Sequence, residues 1–499
     1  MRFVPSLSLA LTALAGGLLY LTVGGLGFPL DDSWIHQVYG RNLALLGQWA
    51  FIPGQPSAAS TSPLYTTLLA LGYALCLDYA FWTHGLGLLA LVGLGLVGAR
   101  LGQRLAEPLR GVGWWAGLAL VTTWHMLWAG TAGMETALFA LLTLALVEQT
   151  FALLETPTDG RALGWGALAA LTTLARPEGS VLALLSGLVL LWGWSGLRWR
   201  ALALMATCSL LILSPYLALN YSLTGGLLPN TADAKFAQHA PLLALPYGLR
   251  WLDLVLAILA GGHVLLVLAL PLYMRRVAQR IREDRRAWAC LLPLAWTIAL
   301  VGLYAARLPA AYQHGRYVMP ALPALITLGV VGLAWGLHWG RGSLIGRVLG
   351  RALALATALS MAYFLFMGAE VRRVDVAIIQ SEMIESALWI RDNLPDEALL
   401  AAHDIGALGY FAPRSALLDI AGLISPEVIP FVRDGDAMWA WLQDRGAQYL
   451  VAFPDQLPHA NPADPRLCLL YANPDSMARR VGQAPMAVYR LDWQAQCAP

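Results

Sequence analysis

Lysine is almost missing from this sequence: Lys235 is the one lysine in 499 residues, and charged side chains of every kind amount to 12%. Soluble domains carry roughly 25%, so a wholly soluble globular protein is excluded. With 58% hydrophobic residues and a mean hydropathy of +0.60, the chain reads as a polytopic α-helical membrane protein. No excess of basic charge points to nucleic acid, because 32 basic residues face 30 acidic ones. That balance hides an asymmetry: 17 acidic and 10 basic residues lie from Glu370 onward, leaving 13 acidic and 22 basic before it. A basic membrane half therefore precedes an acidic soluble half. The nine histidines include no H-x-x-x-H pair and no Cys/His cluster, so no zinc centre is expected. Cys76, Cys208 and Cys290 fall in apolar segments and read as packing residues. Cys468 and Cys497 lie in the polar part and pair if it faces an oxidising compartment. The first 28 residues hold one arginine and a long apolar run, with no obvious A-x-A site between the end of that run and Asp31, the pattern of a retained signal anchor.

Twelve apolar runs can be drawn, at about 7–30, 63–80, 83–103, 112–130, 134–154, 162–175, 179–197, 201–221, 253–274, 287–306, 318–338 and 346–368. Arginines cluster around 100–110, at 161, at 198–200, in RRVAQRIREDRR at 275–286 and at 341–351, and these loops should be cytoplasmic. All of them agree with a cytoplasmic N-terminus if 63–103 crosses an odd number of times, one of its two pieces being re-entrant or interfacial. About eleven crossings follow, with the C-terminus outside the cell membrane. Residues 1–369 then form the transmembrane domain, with 31–62 as its first external loop. Residues 370–499 form a soluble extracytoplasmic α/β domain, in which an amphipathic helix at about 371–393 precedes strand-like runs at 399–404, 416–422 and 448–453 and a last strand in MAVYRLD.

This topology puts nearly all the chemically interesting residues on one outer face. In PLDDSWIHQVYGR, Asp31 and Asp32 stand at the end of the first span, followed by Trp34, His36, Tyr39 and Arg41 at roughly helical spacing. A carboxylate doublet there suits a base, a cation site or a metal ligand, and the aromatic and basic neighbours suit a sugar and a phosphate. In GTAGMETALF an N-cap by Thr131 or Thr136 would account for the threonines without function, while Glu135 faces the same compartment as Asp31 and can act there. In ARPEGS, Arg176 and Glu178 form either a turn with a local ion pair or an Arg and an acid at the mouth of a cavity, where Arg suits a lipid phosphate. Asn230, Asp233 and Lys235 in LPNTADAKF can hydrogen-bond sugar or phosphate. His314 and Arg316 can supply phosphate donors, although Arg316 also suits snorkelling. In the soluble domain, His403, Asp404 and Asp419 follow strand-like runs and suit the shaping of an acceptor site.

The acidic pair in PLDDSWIHQVYGRNLALLGQWAFIPGQP, then TSPLYTTLLAL, GMETALF, ARPEG, LPNTADAKF, HGRYVMPALP and HDIGALGYF with LLDIAGLISPEV occur in the order seen in membrane-embedded GT-C glycosyltransferases. The chain resembles, over nearly its whole length, the terminal arabinofuranosyltransferase and protein-mannosyltransferase-like enzymes that use polyprenyl-phosphate sugars. The resemblance implies an inverting transfer from such a donor to a glycan, lipid or protein of the cell envelope, on the outer face of the membrane. It maps the base to Asp31, with Asp32 nearby; Glu135 is a further catalytic candidate because it faces the same compartment. It maps donor phosphate contacts more loosely to Arg176, Lys235 and Arg316, beside which His314 is a further candidate phosphate donor. Trp34, His36, Glu178, Asn230 and Asp404 are then candidates for sugar or acceptor contacts. The residues fix no cofactor, and a divalent cation, if one is used, would rest on Asp31 and Asp32. The stretch SAASTSP lacks the acid found at that place in the family, which points to a different sugar or acceptor preference. Two other classes compete: a lipid or sugar transporter or flippase, which should show inverted repeats and mid-membrane charges, and a noncatalytic envelope-assembly subunit.

Overall fold

The computed structural model describes residues 3–227, 231–413 and 416–497. Among these, seven helices are long and apolar enough to cross a membrane, or eight if the bent pair Tyr247–Leu259 and Gly262–Glu283 is one span. Shorter apolar helices, Val112–Thr122 and Gly179–Gly193, accompany them. The protein is thus a polytopic α-helical membrane protein, and the eleven crossings read from the sequence count shorter segments too. Of the two apolar pieces in 63–103, the first is the 12-residue helix Pro63–Ala74 and the second the 28-residue helix Tyr79–Ala106. At ~1.5 Å per residue the first reaches only ~18 Å, short of a ~30 Å hydrocarbon core. The run at 253–274 is not one straight helix: its two parts meet at 116°.

The chain divides into two compact units. The first comprises Met1–Val23, His84–Tyr216 and Leu242–Glu370. Its helices pack through small residues, as membrane helices do where lipid supplies no hydrophobic drive. At Gly332 a Cβ would stand 2.1 Å from the Ala269 carbonyl oxygen, so only glycine lets the helix Leu322–Trp339 lie against the segment that enters Leu270–Glu283.

The second unit comprises Gly24–Thr83, Leu217–Pro241 and Val371–Pro499. The helix Leu344–Ile379 runs through a π-helical turn, Gln380–Ile384, into Glu385–Asn393, so the amphipathic helix read at 371–393 continues the last membrane helix. Fully buried Arg372 donates to the carbonyls of Gly25 (3.0 Å) and Gly27 (2.9 Å) just after the first span. A short hairpin, β1 (Ala50–Ile52) and β2 (Gln55–Pro56), lies in the first loop. Five further strands form one sheet: β3 (Leu399–Ala402), β4 (Ala416–Asp419), β5 (Tyr449–Ala452), β6 (Leu467–Ala472) and β7 (Ala487–Leu491), in the order β4-β3-β5-β7-β6. β3 pairs in parallel with β4 and β5, while β7 is antiparallel to β5 and β6. One face of this sheet shares a core with the first loop, where Trp34, Val38, Tyr39 and Phe51 pack with Leu400, Ile405, Leu408 and Val488. A boundary drawn along the chain at 369/370 would therefore separate the 31–62 loop from the core it completes.

Candidate active site

Asp31 precedes the helix Asp32–Leu46 but makes no side-chain cap to it. Its carboxylate turns instead to the start of the helix Gly406–Phe411, accepting from the backbone N–H of Gly406 (2.7 Å) and of Ala407 (2.8 Å). Residue 406 has to be glycine, since a Cβ there would stand 2.2 Å from the Asp31 carbonyl oxygen. Asp31 is 8% exposed. Burial pushes its carboxyl up most, the nearby Asp404 and Asp32 charges add to this, and the Ala407 and Gly406 amides oppose it; the balance is about 7. Its neighbour is placed differently. Asp32 keeps 27% of its side chain exposed and pairs with Lys235 Nζ at 3.3 Å. Two consecutive carboxylates thus stand in opposite environments, one desolvated and one ion-paired, which is the arrangement that separates acid–base roles.

The surroundings belong to the carboxyl ends of the parallel strands, where α/β folds commonly bind ligands. His403 and Asp404 follow β3, and His403 Nδ1 lies 3.3 Å from Asp404 Oδ1. Gln456 Nε2 donates to the other Asp404 oxygen at 2.8 Å. Burial alone would lower the His403 pKa, but Asp404, with Asp419 and Asp455, raises it above the ordinary value. Asp419, at the end of β4, accepts from the backbone N–H of Ala421 (2.8 Å) and Ile424 (2.7 Å), and burial pushes it up to about 6. It shapes the loop after β4. The first loop is tied to the same region: Arg41 donates to the carbonyls of Gly409 (3.1 Å) and Tyr410 (3.2 Å), and Gln238 Nε2 to that of Ala421 (2.7 Å).

Trp34 and His36 lie inward. Trp34 is 2% exposed, its ring 4.9 Å from Phe28, 4.8 Å from Tyr410 and 4.7 Å from Phe411 by centroids. His36 is buried with Nδ1 3.2 Å from the Thr66 hydroxyl. Both residues therefore support the loop in this arrangement. Asn230 lies outside the described residues.

The remaining candidates are in the first unit and form a cluster of their own. The Arg176 guanidinium donates to the Tyr304 hydroxyl at 2.6 Å and lies 3.6 Å from Glu135 Oε1 and 3.5 Å from Glu178 Oε2. The Tyr304 hydroxyl in turn donates to Glu178. The guanidinium carbon lies 5.5–5.8 Å from the ring centroids of Phe139, Tyr304 and Tyr317, and Arg316 donates to the Tyr317 hydroxyl at 3.0 Å. Arg176, Glu135 and Arg316 are all buried. His314 sits in a left-handed stretch, with its ring edge-on to Trp124 and Trp128. Thr131 donates back to the Leu127 carbonyl at 2.9 Å, and Glu135, which precedes the helix Thr136–Glu155, makes no side-chain cap to it. Neither Tyr304 nor Gln456 carries a local signal that would have marked it in the sequence.

A shared divalent cation does not fit the doublet as arranged, because both Asp31 oxygens are turned to backbone amides and Asp32 faces an ammonium group. Among the described residues, the cluster with metal-ligand spacing is Cys468, Asp492 and Cys497, and its two cysteines form a disulfide.

Fold and site together define a membrane protein in which the segment after the first apolar helix carries an adjacent carboxylate pair built onto an α/β domain. A family profile described as a domain of unknown function (DUF8728) matches residues 370–495. A search of curated proteins finds no match. Among solved structures, the chain is similar to ArnT from Cupriavidus metallidurans bound to undecaprenyl phosphate, at 16% identity over 98% of both chains with a TM-score of 0.55. It is similar to the Archaeoglobus fulgidus oligosaccharyltransferase tethered to an acceptor peptide, at 11% identity over 98% of this chain and 74% of that one, TM-score 0.61. The mycobacterial arabinofuranosyltransferase AftD follows at 15% identity, over 98% of this chain and 40% of that one, TM-score 0.53. The chain has the fold of the GT-C glycosyltransferases.

Proposed function

We propose that the protein is an inverting glycosyltransferase that moves a sugar from a polyprenyl-phosphate donor to a glycan, lipid or protein of the cell envelope. The observation that carries this reading is the divided carboxylate pair. A base with a proton affinity near 7 is about half ionised at neutral pH and takes a proton usefully there, and Asp31 meets that description. In the proposed step Asp31 accepts the proton of the acceptor hydroxyl while that oxygen bonds to the anomeric carbon from the face opposite the phosphate. The C1–O bond to phosphate breaks, its electron pair leaves on the polyprenyl phosphate, and the anomeric centre inverts. Asp32 remains anionic beside Lys235 and fixes it near the base. Asp404, held by Gln456, orients His403 at the same strand ends, a suitable place for acceptor hydroxyls. Arg176 and Arg316 are assigned to the donor phosphate on the family resemblance, His314 is offered as a further phosphate donor, and Glu135 is kept as a second catalytic acid. The fold likeness to an undecaprenyl-phosphate-bound transferase supports a lipid-linked donor.

The N-terminus is assigned to the cytoplasm and the C-terminal domain to the outer face. The Cys468–Cys497 disulfide supports that orientation, since such bonds persist in oxidising compartments. The test is transfer from a panel of labelled polyprenyl-phosphate sugars to envelope acceptors by membranes holding wild type, Asp31→Asn or Asp32→Asn. Transfer from one donor that falls by more than about a hundredfold in Asp31→Asn, with donor binding kept, is expected. Equal transfer by wild type and Asp31→Asn would remove Asp31 as base. No transfer from any donor would sink the enzymatic reading.

A further inference from the structure

Lys235 stands beside Asp32 in the proposed reaction, and something has to keep it there. It is carried by the eight-residue helix Thr231–Gln238, whose buried residues are Thr231 and Ala234. A polar helix of two turns does not hold its own place in water. Its position is set by what it rests on.

The seat is the turn after β4, in the same compact unit as the helix, and that turn is closed on one carboxylate. Asp419 ends β4 and is fully buried. Its Oδ1 accepts from the Ala421 N–H (2.8 Å) and its Oδ2 from the Ile424 N–H (2.7 Å), while its own N–H donates to the Ser425 hydroxyl at 3.3 Å. Burial raises this carboxyl to about 6, so at pH 7.5 it is the anion and both oxygens accept. Gly422 bends the turn at φ +84°, and a Cβ there would stand 3.6 Å from the Ala234 Cβ and 3.0 Å from Ile429 Cγ1. The helix therefore lies directly on the turn. One helical turn after Ala234, Gln238 Nε2 donates to the Ala421 carbonyl at 2.7 Å. Ala234 and Gln238 are four residues apart and share a face. Lys235 projects about 100° round the helix from Ala234, and its Nζ meets Asp32 Oδ2 at 3.3 Å.

We infer that Asp419 is a positioning residue for Lys235: by closing the turn 419–425 it seats the helix Thr231–Gln238 and so keeps the ammonium group on Asp32. Its effect on transfer rests on the reaction proposed above. Asparagine at 419 has one acceptor oxygen, so one of the two amides loses its partner and the seat loosens. Lys235 then spends part of its time away from Asp32. The Asp32 charge is among those that raise the Asp31 carboxyl, and with less compensation it raises the base further.

Lys235 is the one lysine of the chain, which makes its position measurable. Full-length protein in detergent is acetylated at pH 7.5 with acetyl N-hydroxysuccinimide ester, and the rate is read by mass spectrometry on the peptide that contains Lys235. Asp419→Asn should label about tenfold faster than wild type, the equivalent of one lost buried hydrogen bond. Gln238→Ala breaks the seat from the helix side without touching Asp419, and should label severalfold faster even if Asp419→Asn fails to fold. Ser476→Ala loosens a different contact of the same domain, the Ser476 hydroxyl to Glu382, and should stay within about twofold of wild type. In transfer assays the half-maximal pH should move upward in Asp419→Asn as it does in Lys235→Gln, and Lys235→Gln/Asp419→Asn should match Lys235→Gln within about twofold. Wild-type labelling rates in both Asp419→Asn and Gln238→Ala overturn the inference whatever the transfer assay gives. So do equal acceleration in Ser476→Ala, or a double variant whose loss is the product of the two single losses. Faster labelling in Asp419→Asn and Gln238→Ala, with no transfer from any donor by wild type, upholds the placement of Lys235 and sinks the reaction proposed for it.

Discussion

Replacing Asp31 by asparagine should make the protein more stable at alkaline pH while abolishing transfer. The carboxyl moves from an unfolded value of 3.8 to about 7 in the folded chain. A group raised in this way contributes stability that is fully present below about 3.8 and is lost as the pH rises from there through about 7. Three units correspond to about 4 kcal/mol, an upper figure for a buried group among other charges. Asparagine matches the protonated carboxyl in charge and shape: its oxygen still accepts one amide N–H, and its NH2, like the carboxyl O–H, faces the other amide N–H without accepting from it. The two proteins should thus be nearly equal near pH 4, with the variant ahead by up to about 4 kcal/mol above pH 7.5. Asp419, raised by burial to about 6, and His403, raised beside Asp404, contribute slopes of the same sign in both proteins, so the difference isolates Asp31. The assay is chemical unfolding of the full chain in detergent at half-unit steps from pH 5 to 8.5, followed by the fluorescence of its tryptophans. Parallel pH slopes for wild type and variant would refute the argument, because burial of Asp31 as a charge would then cost nothing.

Gly406→Ala should lower stability by about 1–3 kcal/mol and transfer by more, since its Cβ would meet the Asp31 carbonyl at 2.2 Å and Oδ2 at 2.8 Å; unfolding and transfer measured on one preparation check this, and unchanged transfer would count against the loop position. Arg176→Gln leaves Glu135 and Glu178 facing one another without their shared cation and should cost about 3–5 kcal/mol. Double replacement with Glu135→Gln and Glu178→Gln should restore most of that, as measured by the folded fraction in detergent.

What the sequence made legible follows the range of the physics involved. Four sheet strands, β3, β4, β5 and β7, announce themselves because each is a short apolar run bounded by glycine, proline or aspartate. β6 does not. It is an edge strand, with Leu469 63% exposed and only one neighbour, β7, so its apolar residues follow no clear alternation. The acidic doublet is visible as a pair from its place beside a membrane span. Its division into a raised and an ion-paired member is not, because the partners lie 375 and 203 residues away, at Gly406 and Lys235. Trp34 illustrates the converse. Helical spacing on a polar loop suggests an outward aromatic, but the Asp32–Leu46 helix is buried on nearly all sides, and a helix covered all round has no polar face to read. Fully buried Glu382, which accepts from Ser476 (2.6 Å), Ser381 (2.9 Å) and the Met486 amide (3.0 Å), could not be told from a surface acid of an amphipathic helix. The seven ordered motifs did carry the fold, as the likeness to solved GT-C transferases shows.

On the proposed reaction, the α/β domain contributes to the chemistry even where none of its side chains meets the sugar. The base owes its strength to that domain, which supplies both the burial and the Asp404 charge that raise the Asp31 carboxyl. The same domain supplies the two amides that restrain the rise and hold the carboxylate still. Removing the amides alone would raise the proton affinity further and leave the base protonated at neutral pH. Removing burial and Asp404 would return it toward an ordinary, weakly basic aspartate. A value near 7 is reached only while the helix Gly406–Phe411 stays seated against the loop, with Arg41 tied to the carbonyls of Gly409 and Tyr410. The loop is therefore competent only in the folded context of the domain that follows it by more than 300 residues, and the stability lost as the pH rises through about 7 is the consequence of keeping a charge where acceptor activation needs it.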